Sequence, residues 1–344
     1  MKLFLHKLTH WEYWPFQIVY IPIYFLWAFY SFKARTVFFF NACNPTIKNG
    51  GFFNESKKDI YNLIPQQFYP KTELIKEQIP FENVTSVLEK SGIHYPFICK
   101  PDIGLRGSAV KKIESIIDLK NYHSKANFNY LLQNLIPFKN EVGIFYVRYP
   151  NEKTGKITGI VVKEFLIVVG NGKNTIEELL QKNPRFEFQL PTLQQEYGLK
   201  LKEILPNDEQ LNLVPYGNHA RGAKFIDASN LISDKLTAVI NEMCLQIPEF
   251  YFGRLDVMFN TFEELENGQN FSVVELNGAA SEPTHIYDPK HSLLFAWKEL
   301  ARHITYMFEI SVINNKNGLL YLSKKEGMKE YREHIEQSSK IVSF

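Results

Sequence analysis

A strand-like run near the C-terminal third of the chain, FSVVELN (271–277), ends in side chains that can bind a cation. Glu275 and Asn277 are two residues apart, so both point to the same face of a strand. The earlier run YFGRLDVMF (251–259) places Arg254 and Asp256 on one face in the same way. Carboxylate and carboxamide oxygens suit a hard divalent cation such as Mg2+, which commonly takes one or two carboxylates together with substrate phosphates. The arginine can hold anionic oxygens on the same face.

The two runs share this chemistry only if they pair as an antiparallel hairpin. The segment 260–270 between them is polar, contains the turn signal Asn267-Gly268, and lies midway between Asp256 and Glu275. A hairpin folded there sets the two carboxylates opposite each other, which destabilises a sheet unless something neutralises them. Taken alone, the hairpin leaves two interpretations open, a cation site and a solvated outer strand face.

A lysine followed by a glycine loop favours the cation site. In FICKPDIGLRGSAV (97–110), Lys100 ends a predicted strand, and Gly104 and Gly107 follow it. Glycines let backbone N–H groups close around an anion, and a lysine supplies charge for phosphate oxygens. The pattern is not GxxxxGK[ST], so its weight comes from occurring in one chain with the hairpin.

The elements that must position these residues predict an α+β fold, because strands and helices alternate irregularly and several strands are neighbours in sequence. Predicted strands cover 95–100, 130–137, 141–150 and 155–170, the last as one long or two short strands. Predicted helices cover 56–65 with Ser56 as cap, 175–182 with a Thr175–Glu178 capping box, and 233–247 with Leu236, Val239, Ile240 and Met243 on one face. The charged tail from Asn315 is expected to be a peripheral helix or mobile.

Composition narrows the function classes. The chain has 344 residues with 45% hydrophobic residues, enough for one large or two ordinary domains with a real core. A net charge of +2 gives no support for nucleic acid as a partner. The three cysteines and nine histidines show no metal-binding spacing, so the cysteines are interpreted as buried or free thiols in a reducing compartment.

The N-terminus departs from this average composition. Residues 13–32 carry no charge, and ten of the twenty are aromatic. The run is long enough to span a bilayer, but Pro15 and Pro22 interrupt a simple helix, and Tyr and Trp prefer the headgroup zone. A segment lying in the membrane interface therefore fits better than a straight span. A helical hairpin buried in a soluble core or a dimer interface is the alternative.

In their order along the chain, several segments resemble those of the ATP-grasp carboxylate–amine ligases, a superfamily that includes D-alanine–D-alanine ligases, cyanophycin synthetases and ribosomal-protein glutamate ligases. The resemblance covers roughly residues 55–312 and implies two α+β subdomains that clasp ATP. The similar segments are SKKDIYNLIPQQFYPKTELI (56–75), ICKPDIGLRGSAV (98–110), LLQNLIPFKNEVGIF (131–145), VVGNGKNTIEELL (168–180), NHARGAKFID (218–227), GRLDV (253–257) and VVELNGAASEP (273–283).

The resemblance implies ATP and two Mg2+ ions as cofactors and assigns roles to individual residues. The implied catalytic residues are Lys100, Arg221 and Arg254, the last stabilising the transferring phosphoryl group. The implied metal ligands are Asp256, Glu275 and Asn277. The implied nucleotide-binding residues are Lys57, Lys100 on the α/β-phosphates, the loop residues Gly104, Gly107 and Ser108 that close over the nucleotide, Gln133, Asn134, Leu135 and Ile136 at adenine, Glu141 at the ribose, and Lys163 and Asn218.

Several positions depart from the family pattern. Asn171 stands where Asp is usual, Ala223 replaces a glycine, and Lys58 competes with Lys57 for the phosphate role. The loop GAASEPTHIYDP (278–289) replaces the Pro-Gly-x-Thr stretch of dipeptide ligases, so the second-substrate pocket is not expected to be that of a D-alanine ligase. His285 can face that pocket, although a lone histidine is more often structural.

The family's preceding βαβ-type domain needs more than the roughly 50 residues found here. We therefore expect four regions: an apolar membrane-associated segment (1–50), a first or lid ATP-grasp subdomain (51–136), a second subdomain with the magnesium site (137–312) and a charged tail (313–344).

The predicted function is an ATP-dependent ligase at the inner face of the cell membrane, cytoplasmic and a candidate homo-oligomer. It joins a small-molecule carboxylate to an amine through an acyl phosphate, with one substrate lipid-linked. A kinase-like ATP-grasp phosphotransferase and a nucleotide-binding membrane-associated module without turnover are the alternatives.

Overall fold

The structure is a computed structural model and describes residues 2–104, 107–214, 217, 219–342 and 344. All three of its sheets are antiparallel, so the α+β prediction is confirmed. The α-helices are α1 (Lys2–Thr9), α2 (Phe16–Val19), α3 (Ile21–Ala34), α4 (Lys57–Leu63), α5 (Phe81–Ser91), α6 (Ile116–Lys125), α7 (Ile176–Leu180), α8 (Pro184–Glu187), α9 (Leu190–Tyr197), α10 (Asp234–Leu245), α11 (Phe262–Glu266), α12 (Leu293–Lys316) and α13 (Lys324–Val342). The strands are β1 (Thr72–Ile75), β2 (Phe97–Pro101), β3 (Lys111–Ile113), β4 (Tyr130–Asn134), β5 (Asn140–Val147), β6 (Lys156–Glu164), β7 (Leu166–Val169), β8 (Gln210–Val214), β9 (Lys224–Asp227), β10 (Phe252–Phe259) and β11 (Phe271–Asn277).

The first sheet carries the strand that ends near Lys100. Its order is β1-β4-β2-β3, and it lies within residues 51–136. Helices α5 and α6 bury Val84, Leu88 and Leu119 in one apolar cluster with this sheet. Helix α4 precedes the sheet and begins at a cap in which Ser56 Oγ accepts a hydrogen bond from the Asp59 amide, as predicted.

The second sheet carries the hairpin. Its order is β11-β10-β5-β6-β9, and Asp256 pairs with Glu275 while Arg254 pairs with Asn277. The predicted register is therefore confirmed at the residues that matter for the site. Helix α10 packs Leu236, Ile240 and Met243 against one face of this sheet, and that face is apolar throughout the cluster. The polar side chains share the other face.

Two details of the hairpin differ from the expected plain turn. Segment 260–270 forms helix α11, capped by a Thr261–Glu264 capping box, because a cap and its partner three residues later begin a helix before Asn267-Gly268 reverses the chain. The register also shifts: Asp256 pairs with Glu275 but Val257 pairs with Val273. Val274 is the extra residue of a β-bulge, a feature that commonly re-aims groups beside active sites.

A smaller layer follows the second sheet. The run 155–170 forms two strands, β6 and β7, and β7 pairs with β8 over helices α7 to α9. The predicted capping box of Thr175 and Glu178 is present at α7. Asn171 accepts hydrogen bonds from the amides of Lys173 and Asn174, so it shapes the turn before that helix.

The N-terminal segment packs onto the second sheet and α12. Tyr20 and Ile23 lie in one apolar cluster with Ala296 and Leu300 of α12, and Tyr30 stacks on Phe308 at 4.1 Å between ring centroids. Farther along, the amides of residues 279 and 280 donate to the carbonyls of residues 50 and 51. The segment is thus part of the same packed body as the hairpin. Of the helices in the described ranges, none has the length and apolar character that crossing a bilayer requires.

The C-terminal tail is an ordered helix that bridges distant parts of the fold. Helix α12 ends at Lys316, beyond the predicted boundary at 312, and α13 follows. Ile341 lies in the apolar cluster of the first sheet, while Glu330 accepts hydrogen bonds from the side chains of Asn49 and Asn54. Its charge predicted that the tail is a peripheral helix or mobile. The structure shows a helix that docks on the first sheet through its few apolar residues, such as Ile341.

Candidate active site

A cluster of alternating charges covers the polar face of the second sheet. Asp256 accepts two hydrogen bonds from Arg254, at 2.8 Å from Nε and 3.1 Å from Nη2. Lys163 Nζ lies 3.3 Å from Asp256 Oδ2 and also donates to Glu141. Gly143 lies beneath this group: a Cβ there would come within 3.2 Å of Asp256 Oδ1. Its lack of a side chain lets the cluster lie close to the sheet.

Burial and mutual charge decide the protonation of this cluster. Burial would raise the pKa of Asp256, but Arg254 and Lys163 outweigh it and lower that pKa to about 2. Burial would lower the pKa of Lys163, yet Asp256 and Glu141 raise it. The carboxylate and both cations therefore stay charged across the physiological range. Such an arrangement presents fixed charges to an anionic substrate without further reorganisation.

Glu275 connects this cluster to helix α4. Its Oε1 lies 3.6 Å from Lys57 Nζ, and that ammonium also donates to the Gly104 carbonyl at 2.7 Å. The neighbouring Lys58 instead donates to the Thr72 carbonyl at 2.6 Å. The structure thus distinguishes two adjacent lysines that the sequence could not: Lys57 faces the hairpin and the glycine loop.

The residues present fit a magnesium site of the type that keeps water and phosphate ligands. Asp256 and Glu275 are paired across the hairpin, and Asn277 lies two residues after Glu275 at the end of β11. Within the described part of the chain, no group of three or more His, Cys, Asp or Glu side chains is arranged to hold a metal ion. Two carboxylates and one carboxamide match an ion that completes its coordination with substrate oxygens rather than with protein alone.

Lys100 is held by the bulge of the second sheet. Its Nζ donates to Tyr61 Oη at 2.9 Å and to the Val274 carbonyl at 3.2 Å, and Tyr61 Oη donates to the same carbonyl. Because the bulge takes Val274 out of the regular pairing, the Val274 carbonyl can accept a hydrogen bond from Lys100 of the first sheet. Burial lowers the pKa of Lys100 to about 8, against a partial opposing effect of Glu275 and Asp102.

Because the pKa of Lys100 is lowered, nucleotide binding at this lysine should be accompanied by a measurable uptake of protons. If phosphate oxygens approach Lys100, they favour the ammonium, so binding of Mg-ADP at pH 8.5 should take up roughly half a proton or more. Calorimetry in buffers of different ionisation enthalpy measures this uptake. Lys100→Met should abolish it and Lys58→Met should retain it.

The lowered pKa of Lys100 should also affect how the stability of the free protein depends on pH. Between about 8 and the ordinary lysine value of 10.5, the unfolded chain holds a proton at Lys100 that the folded chain lacks, so the contribution of Lys100 to the free energy of unfolding, measured as the difference between the wild-type protein and Lys100→Met, should rise with pH in that window. In the calorimetric experiment, a proton uptake on Mg-ADP binding that is unchanged in Lys100→Met would contradict the assignment of Lys100 to the phosphates.

The predicted adenine segment, residues 133–136, begins in β4, the last strand of the first sheet along the chain, and continues beyond it. Gln133 is buried in β4 and donates to Thr72 Oγ1 at 2.8 Å, while the Asn134 amide donates to the Lys71 carbonyl at 3.0 Å. Leu135 is exposed, and it leads with Ile136 into the connection between the two sheets. Backbone groups of this connection lie outside both sheets, and their binding of adenine stays a prediction.

Two further glycines lie close to the cluster, Gly104 through Lys57 and Gly217 through Lys163. Gly107 has a φ of +71°, and Gly107 and Ser108 are exposed. A Cβ on Gly217 would lie 2.3 Å from Lys163 Cδ and 3.0 Å from Glu141 Oε2, so Gly217 lies directly over these two side chains. The predicted residue Asn218 lies outside the described residues. Arg221 pairs with Glu196 at 2.7 Å.

A buried ion pair ties the N-terminal segment to the same region. Arg185 Nη2 lies 2.9 Å and 2.8 Å from the two oxygens of Glu12, and His219 Nε2 lies 3.1 Å from Glu12 Oε2. The side chains of Glu12 and Arg185 are only 5% and 8% exposed. Burial would raise the pKa of Glu12, but His219 and Arg185 lower it. No spacing in the sequence indicated that these residues meet.

His285 has a structural role. It is buried against Gly159, where a Cβ would lie 2.3 Å from the ring, and its Nε2 lies 3.4 Å from Glu299. Sequence reasoning also missed Tyr61, Glu12 and Glu282 as neighbours of the site. Tyr61 had a signal, since it lies four residues after Lys57 on one helix; the other two become neighbours only through the tertiary fold.

Comparisons with known proteins return ligases. No protein-family model matches the chain. The chain is 26% identical over 138 residues to the glutathione biosynthesis bifunctional protein GshAB of Clostridium perfringens, covering 36% of this chain and 18% of that protein.

Two solved structures are similar in the same limited way. A bifunctional glutathione synthetase from Pasteurella multocida matches at 12% identity and a TM-score of 0.39, covering 73% of this chain and 35% of that one. A D-alanine–D-alanine ligase from Bacillus anthracis matches at 11% identity and a TM-score of 0.42, covering 76% and 69%. The chain thus spans about a fifth of the curated relative and about a third of the first structure.

Proposed function

We propose that this protein is an ATP-dependent ligase that joins a carboxylate to an amine. One observation carries the proposal: Lys57 of α4 and Lys100 of β2 both meet the hairpin of the second sheet, Lys57 at Glu275 and Lys100 at the Val274 carbonyl. A nucleotide held between the sheets would have its phosphates between these cations and the carboxylates. Mg2+, when bound by Asp256, Glu275 and Asn277, would neutralise phosphate charge.

The chemistry that suits these residues is phosphoryl transfer to a carboxylate. A carboxylate oxygen bonds to the γ-phosphorus of ATP while the bond to ADP breaks, giving an acyl phosphate. The amine nitrogen then bonds to the acyl carbon and loses a proton to solvent, and phosphate leaves. Arg254, Lys57 and Lys100 stabilise the charge that spreads over the phosphoryl oxygens, and the loop with Gly104, Gly107 and Ser108 excludes water from the acyl phosphate.

ADP release by the purified protein with Mg-ATP tests the proposal. A panel of carboxylates is supplied with and without a panel of amines, each in the presence and absence of a lipid extract. Release that needs both a carboxylate and an amine supports the ligase. Release with formation of a stable phosphorylated product and no amine requirement would identify a phosphotransferase instead. Nucleotide binding without release under every condition would point to a binding module.

We further propose that the N-terminal segment docks this enzyme on the inner face of the cell membrane, where one substrate is lipid-linked. Helix α3 has 14 residues, about 21 Å of helix, which is too short for the hydrocarbon core but suits the interface. Its outer side is apolar and unpartnered in the described residues: Phe25 is 75% and Phe32 is 84% exposed. The same face includes Ile18, Ile21 and Phe29 at helical spacing, and the basic residues Lys33 and Arg35 follow it.

Vesicle binding tests this second proposal. The double variant Phe25→Glu/Phe32→Glu should lower the vesicle-bound fraction at least about tenfold, because each Phe transferred to an apolar phase contributes about 1.5–3 kcal/mol. Co-sedimentation with phosphatidylcholine vesicles, with and without phosphatidylglycerol, measures the fraction. Leu199→Glu, which changes an exposed apolar residue elsewhere, is the matched control. Equal sedimentation of the double variant and the wild-type protein would rule out this docking face.

A further inference from the structure

The loop that follows β11 presents a carboxylate beside the proposed phosphoryl-transfer residues. Glu282 lies five positions after Asn277 and is half-buried. Its Oε1 accepts a hydrogen bond from Tyr20 Oη and lies 3.3 Å from Tyr287 Oη, while its Oε2 has only a 3.5 Å contact with Tyr287. One carboxylate oxygen is therefore occupied by phenol groups, and the other retains most of its acceptor capacity.

The main chain of the same residue is fixed to the cluster on the second sheet. Arg254 Nη1 donates to the Glu282 carbonyl at 3.3 Å. Among the described residues, no lysine, arginine or histidine nitrogen lies within 4.0 Å of the Glu282 carboxylate, although neighbouring carboxylates of the site are paired with cations. The Glu282 charge acts on Arg254 only from beyond contact distance, so a ligand cation in direct contact would add charge stabilisation that the described side chains do not supply.

The N-terminal segment forms one wall of this position. Tyr20 is buried at the start of α3, and Trp11 stacks on Tyr287 at 5.5 Å between ring centroids. Trp297 Nε1 donates to the Val19 carbonyl at 2.8 Å, which holds the α2–α3 junction in place. The site is therefore incomplete without the N-terminal segment.

We propose that Glu282 binds the ammonium group of the amine substrate, in a subsite completed by Tyr20 and Tyr287. The inference rests on the proposed function, because it places the amine beside Arg254. A single oxygen with free acceptor capacity suits the compact charge of a primary ammonium better than a planar guanidinium, which favours two oxygens side by side. A divalent cation needs several oxygen ligands, and a phosphate is repelled by a carboxylate.

Thermal-shift titration of the full-length protein saturated with Mg-ADP tests this subsite. The probes are the common amino acids, ethanolamine and putrescine as primary amines, with ethylene glycol and guanidinium as comparisons. Glu282→Gln should weaken binding of the primary amine that stabilises the wild-type protein about tenfold to a hundredfold, the loss of one charge-assisted contact. Tyr20→Phe should cause a smaller loss. Glu309→Gln, which alters a carboxylate bonded to Tyr149 on the outer side of α12, is the matched control.

The outcomes separate this subsite from the proposed function. A shift with Mg-ADP in all four proteins, with the amine concentration at half-maximal shift raised at least about tenfold in Glu282→Gln and less in Tyr20→Phe, supports the subsite. An unchanged half-maximal amine concentration in Glu282→Gln overturns it, as does the absence of any amine shift while Mg-ADP still stabilises the wild-type protein. No shift with Mg-ADP in the wild-type protein would instead reject the nucleotide site and the ligase together.

Discussion

Replacing Glu275 by Gln is expected to lower Mg-ATP-dependent ADP release about 10²- to 10³-fold, the usual cost of removing one preorganised charge contact. The substitution keeps the side chain's size and removes its negative charge. Lys57 then loses the carboxylate 3.6 Å away, and the hairpin retains one of its two facing carboxylates. Steady-state ADP release measures the effect, with a substrate pair found in the panel.

The control for this substitution lies on the same hairpin. Glu263→Gln changes an exposed carboxylate on α11, at the far end of the two strands, and should leave ADP release within about twofold of the wild-type rate. Glu275 is partly exposed, so its substitution should change stability little. ADP release in Glu275→Gln equal to that in Glu263→Gln would remove the hairpin from the active site.

Replacing Glu12 by Ala is expected to lower the free energy of unfolding by about 3–5 kcal/mol, the cost of leaving one member of a buried ion pair without its partner. Arg185 would remain buried, with His219 Nε2 at 3.3 Å, the Ala223 carbonyl at 3.4 Å and the face of Tyr13 at 5.5 Å nearby. His219 would lose the same carboxylate. Urea unfolding followed by circular dichroism measures the change.

A surface pair provides the comparison. Glu164 and Lys224 lie 3.5 Å apart on exposed side chains, so Glu164→Gln should change the free energy of unfolding by about 1 kcal/mol or less. Equal effects of the two substitutions would show that the Glu12–Arg185 pair is solvated in solution. The ion pair would then not hold the N-terminal segment against helix α8, which carries Arg185.

The pH dependence of the same pair has a definite sign. Because the folded protein lowers the pKa of Glu12, the pair's contribution is present above the carboxylate's ordinary pKa and is lost as pH falls through the lowered value. The stability difference between the wild-type protein and Glu12→Ala should therefore shrink on acidification. Chemical denaturation at a series of acidic pH values measures it.

Local sequence patterns determined the hairpin and most of the elements around it. Side chains alternate along a regular strand, and a polar segment midway between two apolar runs predicts the register in which Asp256 faces Glu275, as observed. The caps at Ser56 and Thr175 follow in the same way from hydrogen bonds within a few residues. Each of these features depends on neighbours in sequence, which is why the sequence alone predicts them.

Only the tertiary structure decided which of these groups meet across the fold. The bulge at Val274 aims a carbonyl at Lys100, and packing of α4 turns Lys57 rather than Lys58 toward Glu275. Tyr20 reaches Glu282 from 262 residues away. Such contacts depend on the summed packing of separate apolar clusters, and no local periodicity carries that information. The sequence thus determined the chemical groups and their strand register, while packing chose their partners.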